Sequence, residues 1–339
     1  MKRFIRTMIL AVIAVAAVSC SGQKSTKALL PNVSGKAGEV IVVANKGEWD
    51  GLLGSTIRDN LACDCDYLPQ SEPLYTLVNI TPATFTNIFK IHRNLLLYNI
   101  NAQVPTPGVV FKSDVWSHPQ CVIQVNAVDE EQANELTLEN MDKILAFIEQ
   151  AERDRVINNA KLYEERSIRP VVEAMTGGAL AIPSGYKIKK STEDFLWLAY
   201  ESTYIYQDIF VYKYPATQSA DEFSQANIIG YRNSVLQANV PGMFDNTYMT
   251  TSTYAEPRVT YMKYKGREFA ETRGLWEVAN DFMGGPFVSH SFYSQDGEDI
   301  IVLEAFVYAP RYDKRHYLRQ VESILYSFEW SDSEEKETK

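Results

Sequence analysis

Cysteine, histidine and basic side chains are all scarce in this sequence. Its 339 residues include four cysteines and four histidines, and 43 aspartates and glutamates outnumber 33 lysines and arginines, for a net charge of −10. A phosphate backbone requires a basic patch, so an acidic protein argues against nucleic acid as a partner. The Gly-x-Ser-x-Gly and P-loop motifs are also missing. We therefore predict no catalytic residue and no cofactor.

Long apolar runs are missing too, apart from one in the leader. A basic start is followed by the apolar run Met8–Val18, then by Ser19 and Cys20. Spanning a membrane takes about 20 apolar residues, so this shorter run is typical of a signal peptide. A small residue directly before a cysteine fits the bacterial lipobox. We predict that residues 1–19 are removed and Cys20 is lipidated; the alternative is an ordinary signal peptide with a cysteine nearby by chance.

The residues after Cys20 are polar and include lysines, which predicts a flexible tether over 20–37 beside an anionic membrane surface. Residues 331–339 are charged and contain no apolar side chain, which predicts a disordered acidic tail. The mature protein is therefore expected to be held on a membrane by its N-terminal lipid anchor.

Apolar periodicity divides the remaining chain into two domains. Over 38–176, strand patterns alternate with helical ones and end in a long helix over Leu136–Ser167. Over 177–330, strand patterns rich in tyrosine dominate. We predict an α+β fold of two α/β sandwich-like domains, the C-terminal one an antiparallel sheet backed by two helices. This element order is similar in fold alone to PsbP-type domains.

Three local signals place elements of the C-terminal domain. Asp296-Gly297 predicts a hairpin turn between strands at 287–294 and 300–308. The capping-box pattern Ser219–Glu222 predicts the start of a helix that runs to Gln237. Asp313 is the expected N-cap of a last amphipathic helix that reaches Phe328.

Three cysteines remain once Cys20 is lipidated. An odd number allows at most one disulfide, in which Cys63 or Cys65 pairs with Cys121. A metal or redox site that adds His92 and His118 is the alternative. The single Cys-x-Cys does not match the paired knuckles typical of zinc sites, so we predict no metal.

Two other groups of polar residues suggest chemistry only weakly. His290 and His316 are candidate general bases, but neither lies in a nucleophile motif. Asp296, Glu298 and Asp299 lack the alternating oxygen ligands of a calcium loop, and a solvated hairpin turn explains them better.

The least ordinary stretch of the body begins at Arg273 and Trp276 and continues to Gly284-Gly285-Pro286. Gly-Gly-Pro requires a specific backbone path, so these four residues, Arg273, Trp276, Gly284 and Gly285, are our candidate binding site. Three tryptophans are available to stack on sugar rings: Trp197, Trp276 and Trp330. Packing inside a β-rich core is the competing explanation for them.

Four features together resemble an uncharacterised family of Bacteroidetes lipoproteins that is catalogued as a domain of unknown function. They are the lipobox at Cys20, Val115-Trp116 with Pro119-Gln120, the turn Ile182–Tyr186, and Arg273–Trp276 with Met283–Phe287. The resemblance implies no catalytic residue. Surface-exported lipoproteins of that group often carry acidic residues just after the cysteine. Residues 21–27 contain none, so we expect a periplasm-facing position on the outer membrane.

The sequence thus predicts a lipid-anchored cell-envelope protein, most simply a non-enzymatic binding or assembly module whose partner is an envelope protein or a glycan. The alternative is an envelope hydrolase, or a glycan-binding or glycan-processing protein, with its site near Arg273 and Trp276. A pocket in which carboxylates meet either residue favours the alternative, whereas a flat surface favours an interaction module.

Lipidation gives the first testable prediction. Mass spectrometry of the N-terminal peptide from the native membrane fraction should show an acylated Cys20, and Cys20→Ser should release the protein from that fraction. An unmodified mature terminus at another residue would contradict the assignment.

Overall fold

The computed structural model describes residues 29–331. The predicted signal peptide, Cys20, most of the tether and the tail from residue 332 onward lie outside the described residues. From Asn32 onward the described residues lie in one compact unit. Within the described part, no helix is both long and apolar enough to cross a membrane.

The N-terminal half contains a five-stranded sheet in the order β2-β1-β3-β5-β4. Its strands are β1 (Glu39–Val43), β2 (Thr76–Ile80), β3 (Asn94–Ile100), β4 (Gly108–Ser113) and β5 (Cys121–Ala127). The pairs β1–β2, β1–β3 and β3–β5 are parallel, and β4 is antiparallel to β5. The continuous apolar run of β1 suits a parallel strand that is covered on both faces.

Eight α-helices and one 3-10 helix, Pro82–Thr84, accompany the sheets within the described residues. The α-helices are α1 (Lys46–Asp50), α2 (Leu52–Leu61), α3 (Asn87–Lys90), α4 (Glu130–Glu139), α5 (Met141–Leu162), α6 (Arg169–Thr176), α7 (Gln225–Asn239) and α8 (Arg315–Leu325). Apolar side chains of α2, α4 and α5 pack on one face of the first sheet. A smaller apolar cluster with Phe85, Phe89 and Trp116 covers the other face.

The C-terminal half contains an antiparallel sheet in the order β10-β12-β13-β14-β9-β8-β7, and β11 also pairs with β12. Its strands are β7 (Lys187–Ser191), β8 (Phe195–Ala199), β9 (Tyr206–Pro215), β10 (Met249–Thr251), β11 (Arg258–Tyr264), β12 (Arg267–Val278), β13 (Gly284–Tyr293) and β14 (Asp299–Tyr308). A short pair, β6 (Gly178–Ala179) and β15 (Glu329–Trp330), lies apart from it. Helices α6 and α8 pack on one face and α7 on the other.

The predicted fold class is confirmed: helices and strands are mixed, and the C-terminal sheet is antiparallel and backed by helices. The hairpin between β13 and β14 also forms where Asp296-Gly297 predicts it. The boundary near residue 176 stays a prediction.

Two helix predictions are wrong in their limits. The long helix expected over Leu136–Ser167 is divided at Asn140 and ends at Leu162. The helix expected from Ser219 begins at Gln225, because Ser224 provides the cap. The carboxylate of Glu222 instead accepts the backbone N–H groups of Thr217 (3.0 Å) and Gln218 (2.6 Å), which holds the preceding turn.

Helix α8 is capped from a distant part of the chain, not by Asp313. The carboxylate of Glu72, in the loop before β2, accepts the backbone N–H groups of Lys314 (2.6 Å) and Arg315 (2.9 Å). The N-terminus of a helix attracts negative charge and needs hydrogen-bond acceptors, and the buried Glu72 supplies both. The N-terminal half of the chain therefore fixes the last helix of the C-terminal half.

A buried ion pair attaches α7 to the sheet. Arg232 donates from Nε and Nη2 to Glu304 on β14 at 2.9 and 2.7 Å, and from Nη1 to Thr251 at 2.8 Å. The side chains of Arg232 and Glu304 are 1% and 0% exposed. The pair is bidentate and enclosed, so losing one partner leaves an uncompensated charge in the interior.

We expect Glu304→Gln to lower the free energy of unfolding by about 3–5 kcal/mol, because Arg232 keeps its charge without its partner. Guanidinium titration of the mature protein measures this loss. The matched control is Glu268→Gln, which removes a carboxylate from the exposed pair with Lys263 and should leave the unfolding curve unchanged. Equal effects of the two variants would contradict the assignment.

Candidate functional site

An open cavity of about 560 Å³ lies between α5 and α8 and receives residues from both halves of the chain. We call it the α5–α8 cavity. Its lining includes Arg93 before β3, Glu152, Arg155 and Asn159 on α5, Pro183, Ser184, Tyr186 and Tyr200 beside β7 and β8, Gln207 on β9, and His316, Arg319 and Gln320 on α8.

The lining of this cavity is cationic. Three arginines, Arg93, Arg155 and Arg319, and one carboxylate, Glu152, contribute a formal charge of 3 − 1 = +2. The whole chain carries −10. A positive concavity in an acidic protein focuses its field on anions.

Arg155 and Glu152 form the fixed floor of the cavity. Arg155 donates to Pro119 O (2.9 Å), Arg93 O (2.7 Å) and Asn94 Oδ1 (3.0 Å), and from Nη1 to Glu152 Oε1 (3.0 Å). The Asn94 amide also donates to Glu152 Oε1 at 2.7 Å. These bonds use the donors of Arg155, so this residue positions its neighbours.

Arg93 and Arg319 keep donors for a ligand. Among the described residues, the Arg93 side chain has one polar partner, Glu152, at 3.2 Å from Nε. Arg319 uses Nη2 for Leu74 O (3.3 Å) and Glu149 (3.4 Å), and its guanidinium lies over the ring of Tyr75 at 4.8 Å. Burial lowers the pKa of Arg319, but the acidic groups around it, Glu149 foremost, together outweigh burial and raise that pKa, so its charge is secure.

Neutral side chains complete the walls. The rings of Tyr186 and Tyr200 lie 5.5 Å apart. Gly185, directly before Tyr186, has φ +99°, and a Cβ there would meet the Tyr200 ring at 2.9 Å, so only glycine suits this turn. The turn Ile182–Tyr186 therefore builds a wall of the cavity.

His316 lies in the cavity, but its acceptor nitrogen is occupied. Gln207 donates to Gln320 Oε1 at 2.9 Å, which orients the Gln320 amide so that its Nε2 donates to His316 Nε2 at 3.1 Å. Burial and then Arg319 lower the pKa of His316, so its ring is neutral at pH 7. His316, one of the two weak general-base candidates, thus has no free lone pair toward the cavity.

Arg273 and Trp276, which we predicted to form one binding site, lie on opposite faces of the sheet. Their side chains therefore line different cavities. Arg273 is held by Glu271 (2.7 Å) and by both oxygens of Glu322 on α8. Its cavity, about 440 Å³, is also lined by Cys63, Cys65, Glu149 and Arg153; we call it the Arg273 cavity.

Trp276 lies on the opposite face, 3% exposed, with its indole N–H bonded to Val307 O at 3.2 Å. Its cavity, about 230 Å³, has walls of Trp197, Trp276, Phe306, Met243, Met249 and Met283. We call it the Trp276 cavity. A Cβ on Gly285 would lie 2.1 Å from Val307 O, and one on Gly284 2.8 Å from Trp276 O. Both glycines therefore allow close strand packing.

The three described cysteines are free thiols in the structure. Burial raises the pKa of Cys65 to about 11 and of Cys121 to about 12, so both are protonated at neutral pH. Cys63 is exposed. The predicted bridge is thus not formed here.

The two histidines of the alternative metal site, His92 and His118, have different carboxylate partners. His92 contacts Glu39 at 3.1 Å, and His118 contacts Asp114 at 2.8 Å. Among residues 29–331, no group of three or more His, Cys, Asp or Glu side chains is arranged to hold a metal ion. His290 is enclosed, and burial lowers its pKa to about 4. Asp296 accepts bonds from Ser294 and the Glu298 N–H within the hairpin turn.

Sequence reasoning missed Glu152, Arg155 and Arg319 because it assigned helix charges to solvent. The sequence does contain a pattern that indicates two of these residues, Glu152 and Arg155. The apolar stripe of α5 runs through Ile144 and Ile148, and the same helical spacing continues through Glu152 and Arg155. Charges in register with a buried stripe indicate an internal polar network.

Comparison with known proteins gives two family matches. Residues 33–161 match Domain of unknown function (DUF8532), and residues 165–327 match Domain of unknown function (DUF4837). These matches are consistent with an uncharacterised family. No curated protein matches the chain.

Among solved structures, the chain is similar to the Ran-binding protein Mog1p of Saccharomyces cerevisiae. The identity is 8%, the TM-score is 0.32, and the match covers 47% of this chain and 92% of Mog1p. A likeness this distant says nothing about activity.

Proposed function

We propose that the protein is a lipid-anchored binding protein of the bacterial cell envelope whose body holds a small anionic ligand in the α5–α8 cavity. The observation that carries the proposal is the cationic lining of this cavity in an acidic chain. Its volume of 560 Å³ lies within the range of about 300–1,000 Å³ that is typical of small-molecule sites.

Arg93 and Arg319 are the proposed ligand-binding groups. Arg93 retains its two terminal nitrogens, and arginine binds carboxylate or phosphate through paired N–H donors. The network of Arg155, Glu152 and Asn94 holds the backbone at Arg93 in place before any ligand arrives. A prearranged site loses less entropy when it binds.

The bonding around the cavities supports binding rather than turnover. In the Arg273 cavity, Glu271 and Glu322 are engaged by Arg273, and Cys65 is protonated. In the α5–α8 cavity, Gln320 occupies the acceptor nitrogen of His316. Nucleophilic catalysis needs an activated nucleophile with a base beside it, whereas these side chains are already bonded or keep their proton.

The envelope location is supported by the leader alone. Its lipobox at Cys20 and the lack of acidic residues over 21–27 favour the periplasm-facing side of the outer membrane.

A glycan-processing or glycan-binding protein is the second candidate, because carboxylates share a cavity with Trp276. Asp208 and Glu201 line it, and burial raises the pKa of Asp208 to about 6. However, the Trp276 ring is buried and packs edge-on against Phe306 at 5.3 Å. Little of its face is left for a sugar ring, so we favour the anion site.

The test is isothermal titration calorimetry of the mature protein with citrate and with pyrophosphate as probes. We expect at least one probe to bind, and Arg93→Gln to weaken that binding by about tenfold or more, the scale of a lost charge-assisted bond.

The matched control is Arg166→Gln, which removes the same charge from an exposed position outside the cavity and should leave affinity within about twofold. The absence of binding by both probes, or equal loss in the two variants, would contradict the proposal.

A further inference from the structure

The Trp276 cavity opens between two neighbouring loops that the proposed anion site does not use. One loop, 241–248, follows α7, and the other, 279–283, joins β12 to β13. The two are bonded to each other through Ala279 N to Tyr248 O (2.8 Å) and Asn280 Nδ2 to Asn246 O (3.4 Å). Met243 and Met283 line the cavity from one loop each.

Large apolar side chains stand exposed on these same loops. Met243 is 79% exposed, Phe244 65% and Phe282 105%. Apolar side chains grouped around an apolar opening mark an interaction surface. Methionine adapts its shape to different apolar partners, and three methionines form much of the cavity wall.

The size of the cavity points to a single inserted side chain. Its volume of 230 Å³ is below the range of about 300–1,000 Å³ for whole ligands, whereas cavities of about 150 Å³ accept a benzene ring. Interfaces of proteins commonly concentrate their binding energy in one apolar or aromatic anchor seated in such a pocket.

The charges around the opening are mostly negative. Asp245 and Asp281 lie on the loops, and Glu201 and Asp208 lie in the wall. The lysine of the wall, Lys189, is paired with Glu201 and stacked on Trp197 at 4.1 Å. This surface repels anionic lipid and attracts a basic partner.

We propose that the Trp276 cavity and its two loops are a docking site for a partner polypeptide, which inserts one apolar side chain and carries lysine or arginine on either side of it. This site lies on the opposite face of the sheet from α8 and is independent of the anion site.

The probe is an array of short peptides, each with a central leucine, methionine or phenylalanine between flanks of either lysine or glutamate. The strongest binder is then titrated against the mature protein by fluorescence anisotropy. We expect lysine-flanked peptides to bind in preference to glutamate-flanked ones. Met243→Asp should weaken the binding by about tenfold or more, whereas Ile88→Asp, at a residue of comparable exposure (70%) but on α3, should not.

A second variant tests the charge argument without touching the cavity. Asp245→Lys combined with Asp281→Lys, the first exposed and the second half-buried, should shift the preference toward glutamate flanks. Equal binding of both peptide classes, or no binding of either, would overturn the proposal. So would binding of the protein without its lipid to phosphatidylcholine vesicles that Phe282→Asp abolishes, since the loops would then be assigned to a membrane.

Discussion

The position of helix α8 is the constraint on which the described structure depends most. Its start is capped by Glu72 from the N-terminal half, and its apolar side chains Leu318, Val321 and Leu325 lie in the core of the C-terminal half. The same helix provides Arg319 to the α5–α8 cavity and Glu322 to the Arg273 cavity. If α8 moved, both sites would lose their geometry together.

Charge buried beside α8 is tolerated because each charged group has partners. A buried ion costs several kcal/mol unless it is paired and hydrogen-bonded. Arg273 is held by two carboxylates, Glu149 accepts a bond from Tyr75 at 2.8 Å and faces Arg319, and Arg153 stacks on Tyr326 at 3.6 Å. The result is a rigid polar layer beside which Arg93 has one polar partner among residues 29–331, Glu152, and keeps both terminal nitrogens unpaired. We therefore regard Arg93 as the group that awaits a ligand.

Local patterns were enough to predict the fold class but not the site. The apolar run of β1, the Asp-Gly turn between β13 and β14 and the amphipathic stripe of α8 each act within a few residues, so the sequence exposes them. The cap of α8 by Glu72 joins residues more than 240 positions apart, and no local pattern encodes such a contact. Arg273 and Trp276 are neighbours in sequence, yet the pleat of β12 sends them to opposite faces. The single site suggested by their proximity is therefore two separate places.

X-ray diffraction from crystals of the mature protein soaked in sodium selenate, recorded at the selenium edge, tests the anion site most directly. Selenate is a tetrahedral dianion whose anomalous scattering distinguishes it from water. We expect a selenium peak in the α5–α8 cavity, within bonding distance of Arg93 and Arg319. Peaks confined to exposed lysines, with only water between these two arginines, would contradict the account.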